Sequence, residues 1–279
     1  MNKTTGCAAV AALVAIVGCS NSGEDEVAAT DASTSTQAPV TTVSPSTQES
    51  PEADMEGKQE EPDVDEAIRT YLDGIASWSP SAARDALEYA APDSVAHAYM
   101  QHQINVAEAA LDGGLQYGQP TVEAIDGGYE LCDSVDASLC NEFTEIETID
   151  GVVEDFLIDG TSPGSLLVVG NGDVVESQDV SVEFLTAYRA ISSNTLFVTV
   201  GVETGEEQVE LNIYSAAYRA PDGEQRQPAD AMGPYEIGAE STATIALLFP
   251  EAEPGGTVTL DGYVGDDFAN TVEFTIQTG

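Results

Sequence analysis

Apolar residues recur along this chain at several distinct spacings, and each spacing marks a different region. From Gly6 to Gly18 no residue is charged, a thirteen-residue run behind the single cation Lys3. That is too short to cross a hydrocarbon core of about 30 Å as a helix. Ser20 to Pro62 is rich in Ser, Thr, Pro, Glu and Ala and nearly free of large apolar residues. Such a stretch buries too little surface to offset its conformational entropy, so it is expected to be a disordered tether. From Asp63 the period becomes helical. Val64, Ile68, Tyr71, Leu72, Ile75 and Trp78 share one face behind Asp63 as N-cap. Ser79-Pro80 restarts a helix to about Ala90, and Pro92-Asp93 opens a third that stops at Gly113-Gly114.

From Gln119 the period falls to two. Thr121–Asp126 and Tyr129–Asp133 flank Gly127-Gly128, and Phe143–Ile149 and Val152–Ile158 flank Asp150-Gly151, both hairpin signatures. Ser165–Val169 follows as an apolar strand. Later strands are expected at Val180–Leu185, Leu196–Val202, Val209–Tyr214, Tyr235–Gly238, Thr242–Phe249, Thr257–Val264 and Thr271–Gln277. Within these, Leu196/Val198/Val200/Val202 and Val272/Phe274/Ile276 alternate as half-buried antiparallel strands must.

The N-terminal segment has the basic start, short apolar core and small residue of a secretory signal. It ends in Ile16-Val17-Gly18-Cys19, which resembles a bacterial lipobox. The resemblance implies that residues 1–18 are removed and that Cys19 becomes a lipidated N-terminus on the extracytoplasmic face of the membrane. Three helices followed by antiparallel strands over 63–175 resemble the NTF2-like, cystatin-like cone. The short strands over 176–279, with the turn Pro254-Gly255-Gly256-Thr257, resemble an immunoglobulin-like sandwich. The expected fold class is therefore α+β: an NTF2-like module at 63–175, then an Ig-like domain at 176–279, behind a tether at 19–62. That order is similar to uncharacterised secreted lipoproteins of actinobacteria and other Gram-positive bacteria.

Charge narrows the partners. The chain carries 50 Asp plus Glu against 7 Lys plus Arg, a formal net charge of −43. Removing residues 1–18 takes away Lys3 and no acid, giving −44. Such a surface gains nothing from counterion release on phosphates, so nucleic acid is excluded as a partner. It is also repelled by anionic lipid, which leaves the acyl chains on Cys19 as the contact that holds the protein to a membrane.

Of four cysteines, Cys7 leaves with the signal and Cys19 takes lipid, so Cys132 and Cys140 are expected to form a disulfide across Asp133–Leu139. Two cysteines without a neighbouring histidine make poor zinc ligands. Gly160-Thr161-Ser162-Pro163-Gly164 matches the G-x-S-x-G nucleophile elbow in letters only, because Pro163 has no N–H to offer an oxyanion. His97 and His102 are five apart, the wrong spacing for two ligands on one helix face. Tyr71, Trp78, Tyr99 and His102 are the candidate lining of a cavity. Asp266 and Asp267 are weak calcium candidates without the EF-hand order of ligands, so no metal and no cofactor is expected. Ala187-Tyr188-Arg189-Ala190 returns as Ala217-Tyr218-Arg219-Ala220, too short an echo to make a repeat. The expected function is a non-catalytic, membrane-anchored lipoprotein for binding or envelope scaffolding, with an unidentified protein or small ligand at the cell surface as partner. The alternative is a small-ligand or substrate-binding protein, or less so an enzyme, that uses the helical module's cavity.

Overall fold

Three short polar side chains start the three helices. Asp63 caps α1 (Val64–Ala76), its carboxylate accepting from the Asp65 N–H at 3.1 Å. Ser79 caps α2 (Pro80–Ala86), with Pro80 at the first helical position where its missing N–H costs nothing. Ser94, rather than Pro92-Asp93, opens α3 (Val95–Asp112), its hydroxyl accepting from the His97 N–H at 3.0 Å. These elements belong to a computed structural model that describes residues 63–134, 139–265 and 270–279. Cys19 with its lipobox, the tether to residue 62, and Asp266 and Asp267 lie outside the described residues.

The strands follow in chain order. A meander comes first: β1 (Thr121–Ile125), β2 (Gly128–Cys132), β3 (Cys140–Ile149) and β4 (Val152–Ile158) pair in sequence, all antiparallel. Next come β5 (Leu167–Val169), β6 (Val174–Ser177), β7 (Val180–Arg189), β8 (Thr195–Thr204), β9 (Val209–Leu211), β10 (Ala217–Arg219) and β11 (Gln225–Arg226). The chain ends with β12 (Asp230–Met232), β13 (Glu236–Ile237), β14 (Thr242–Pro250), β15 (Thr257–Val264) and β16 (Thr271–Gln277). A second sheet runs β12-β14-β8-β7-β5, with β6 also on β7; a third runs β11-β10-β15-β9-β13, with β16 on the other edge of β15.

The second and third sheets close on one another around a shared core. Val182, Val200, Leu247 and Phe249 from one meet Leu211, Leu260, Val272 and Phe274 from the other. The far face of the second sheet is covered too: Ala246 and Leu248 of β14, Phe197 of β8 and Met232 of β12 pack against Val106, Ala109 and Ala110 of α3. Thr195 to Val200 are therefore buried at every position. The alternation Leu196/Val198/Val200/Val202 does identify the face turned to the third sheet, while Phe197 and Thr199 meet the helix. A third core joins α1 and α3 to the meander through Leu72, Met100, Ile104, Phe143, Val153 and Phe156.

This overturns the expected α+β pair of an NTF2-like module and an Ig-like domain. Among the described residues 44% are strand and 23% helical, a β-rich fold of three sheets and three α-helices. The meander ends at β4; the chain then passes through the single-turn 3-10 helix Pro163–Leu166, and β5 to β7 join the second sheet instead. The expected boundary between residues 175 and 176 falls inside β6. Because α3 buries one side on the meander's core and another on β14 and β8, the described residues all fall in one compact unit.

Smaller expectations sort cleanly. Ser162 caps the 3-10 turn, its hydroxyl accepting from the Gly164 N–H at 3.3 Å, so Gly160–Gly164 is a turn and not a nucleophile elbow. The two Ala-Tyr-Arg-Ala stretches lie on β7 and β10, in different sheets. Both reach Glu253: Arg189 pairs with its carboxylate, and the Tyr218 hydroxyl donates to its backbone oxygen at 2.6 Å.

Candidate binding site

Where α1, α3, the meander and the end of β7 converge, the side chains leave a cavity of about 80 Å³. Three of the four residues expected to line a cavity, Trp78, Tyr99 and His102, line this one. Tyr71 does not. It is 1% exposed, lies 6.0 Å from Phe156 between ring centres, and its hydroxyl donates to the Ala96 carbonyl at 2.9 Å. Burial, with a lesser contribution from Asp155, pushes its phenol well above the ordinary value.

Trp78 sits in the three-residue junction between α1 and α2, where Ser77 and Ser79 brace the chain. The Ser77 hydroxyl donates to the Gly74 carbonyl at 2.7 Å and accepts from the Ser79 N–H at 3.1 Å. Between them Trp78 is held at φ 50°, a left-handed conformation that costs a bulky residue about 1–3 kcal/mol. Its indole stacks on Tyr117 at 4.6 Å, and the Tyr117 hydroxyl reaches the Met232 sulfur at 3.2 Å.

α3 supplies the opposite wall. Tyr99 meets Phe156 and Tyr188 edge-on at 5.4 and 5.3 Å. Burial raises its phenol well above the ordinary value, with smaller contributions from Tyr188, Tyr71 and Asp159, so it is un-ionised. His102 is 1% exposed and lies between the rings of Tyr188 and Phe197. Burial alone drives its pKa from 6.5 to about 3, so the imidazole is neutral.

A buried polar network fixes that ring. Its Nδ1 lies 2.8 Å from the Thr186 hydroxyl, which lies 2.7 Å from the Thr199 hydroxyl. The Asn105 amide reaches both hydroxyls, and Gln101 donates to Asn105. Thr186 stands at the register shift between β7 and β8, and its backbone N–H donates to the Thr199 hydroxyl at 3.1 Å. The network thus satisfies a group that the irregular ladder leaves behind. The Thr199 hydroxyl donates to the Thr186 carbonyl at 3.2 Å, and the direction of the bond between Thr186 and His102 Nδ1 follows the tautomer of the ring. The other ring nitrogen, Nε2, has no partner among the described residues.

β2 and β3 close the third side with Leu131, Asn141 and Phe143. Leu131 and Asn141 are register partners, one rung inside the disulfide pair Cys132 and Cys140. Asn141 is 8% exposed, and its side-chain amide makes no hydrogen bond among the described residues. Ala190, Ile191 and Ser192 of the turn after β7 form the rim. Among the described residues that line this cavity none is charged, in a chain of net charge −43.

The disulfide is formed, with Cα atoms 4.0 Å apart. Glu130 stands close enough to complete a metal-sized triad with the two sulfurs, but sulfurs bonded to one another are not thiolate ligands. His97 lies off the cavity on another face of α3, so the two histidines do not converge. Asn141, Tyr188 and Phe197 escaped sequence reasoning. Asn141 had one signal: it alternates with Phe143 at spacing two and so occupies an inward position of β3. A larger groove of about 560 Å³ flanks α3, lined by Glu108, Asp112, Glu183 and Glu203 with Arg84. Three of these groups are engaged: Arg84 pairs with Glu108, and Asp112 accepts from the Thr244 N–H at 2.9 Å. No protein-family model matches this chain, and no curated protein matches it in sequence.

Proposed function

We propose that the chain is a lipid-anchored, extracytoplasmic and non-catalytic binding protein that takes a small molecule in the cavity of Trp78, Tyr99 and His102. The observation that carries this reading is a cavity bounded by aromatic rings and neutral polar groups with no charged side chain among its described lining. Proton-transfer chemistry wants a group that titrates near the working pH, and His102, at about 3, is too weak a base. Binding sites are typically apolar and aromatic with a few converging polar groups, which fits this lining and favours ligand capture over scaffolding.

The membrane part of the reading rests on Ile16-Val17-Gly18-Cys19 and on charge. Among the described residues no helix is long and apolar enough to cross a membrane. Metabolic labelling with a fatty acid is expected to mark the native chain and to be lost in Cys19→Ala; equal labelling of both would refute the anchor.

Trp78 is the chain's only tryptophan, so its emission reports one site. A panel of small uncharged molecules is expected to contain members that shift that emission saturably. Ser192→Phe, a plug at the exposed rim, should weaken them at least tenfold while leaving the melting temperature within about 2 °C, as surface substitutions do. A panel without a saturable response, or a plug without effect, sinks the proposal.

A further inference from the structure

The unpartnered polar groups identify the class of ligand. Two are buried against this cavity, from two of its walls. His102 comes from α3 with Nδ1 engaged by Thr186 and Nε2 free. Asn141 comes from β3 with its whole side-chain amide free among the described residues and only 8% of its surface exposed. A buried polar group without a partner costs about 1–3 kcal/mol, so native proteins fill such places with water or a ligand. The cavity, about 80 Å³, has room for several waters. A carboxamide or hydroxyl head with the first carbons of its stem can take their place.

Resting on the cavity reading above, we propose that this site selects an uncharged head group carrying both a hydrogen-bond donor and an acceptor, a primary carboxamide or an alcohol. The head exchanges one hydrogen bond with His102 Nε2 and the complementary one with the Asn141 amide, and its apolar stem lies against Trp78 and Tyr99. Anions are rejected twice. The lining offers no cation to replace their lost hydration, and the acidic surface repels them at low salt. Cations are drawn by that surface, but they too would enter a space with no counter-charge in its described lining. Discrimination between polar and apolar heads follows from the same two groups, because an apolar head leaves both unpaired.

Isobutyramide, isobutyrate and 2-bromopropane are close in size and differ in the head group alone. Titrated against Trp78 emission in high monovalent salt, which screens the surface charge, isobutyramide should bind in the millimolar range and isobutyrate at least tenfold more weakly. Asn141→Leu should weaken isobutyramide about tenfold and leave 2-bromopropane within twofold. Equal binding of isobutyrate, or no effect of Asn141→Leu on isobutyramide, overturns the head-group assignment while the cavity reading stands. No response to any of the three, 2-bromopropane included, overturns the cavity reading itself. Should Asn141→Leu fail to fold, the ratio of isobutyramide to isobutyrate on the native chain decides alone.

Discussion

Acidification from pH 7 to pH 3 is expected to cost the native chain about 4–5 kcal/mol more than it costs a His102→Gln variant. In the unfolded chain His102 takes a proton near its ordinary 6.5, whereas burial holds the folded value at about 3. Between those limits the unfolded state binds one proton more, so stability falls as pH falls. The contribution is fully present above about 6.5, declines through the window from 6.5 to 3, and is flat below 3. A gap of about 3.5 units at 1.36 kcal/mol each gives the figure. It is a large share of the about 5–15 kcal/mol that holds a typical domain together.

The comparison with Gln is essential because 50 acids also change charge over this range. Their protonation relieves self-repulsion and pushes the native stability in the opposite direction. Gln keeps an amide that can donate to or accept from Thr186 and does not titrate, so subtraction isolates the imidazole. The groups packed round the ring are neutral: Thr186, Tyr188 and Phe197. Denaturant titrations at each pH give the two curves, and parallel curves would show that the ring is not buried as described.

How much of this was legible from the residues depends on the range of the contact. Asp63, Ser79-Pro80 and the Gly127-Gly128 and Asp150-Gly151 turns act within four positions, so helix starts and hairpins could be read directly. Sheet membership could not. Val174–Ser177 is short and has no turn chemistry that tells β7 from β4 as its neighbour, yet its pairing with β7 is what removes the boundary between modules. β8 illustrates the deeper limit. Period two in its Val and Leu residues marks one buried face, but Phe197 and Thr199 are buried by α3, nearly a hundred residues earlier. Nothing local distinguishes a solvated sheet face from one covered by a distant helix.

The cavity shows the same division. Trp78 and Tyr99 could be grouped because helical spacing turns them inward, whereas His102 entered only as a candidate base in the cavity that the resemblance implied. Tyr71 obeys the same spacing and points instead at Phe156, since one helix face is wide enough to serve both a core and a cavity. The network behind His102 joins residues 81 to 94 positions apart, and Thr186 enters it through an irregularity of the β7–β8 ladder that no residue pattern announces.

The disulfide ties the local and the distant parts together, and removing it should be felt in both. Replacing Cys132 and Cys140 by Ser is expected to lower stability by about 2–3 kcal/mol, the loop-closure entropy of a span with sequence separation 8. The ladder itself survives, because Asp133 N–H still donates to the Leu139 carbonyl at 2.9 Å and β2 still pairs with β3 over four further rungs. The loss is therefore concentrated in the unfolded state, with a smaller loosening of the folded hairpin end. That end matters to the cavity. Leu131 and Asn141 form the next rung, and Thr121 of β1 faces Cys132 directly after the lining residue Pro120. Urea midpoints measure the first effect, and amide exchange at Leu131 and Asn141 measures the second, expected to quicken severalfold more than exchange in β14. A midpoint shift worth less than about 0.5 kcal/mol would mean that the hairpin is already closed without the bond. Faster exchange spread evenly over β14 and β3 would mean that the bond stabilises the whole unit and not the cavity wall.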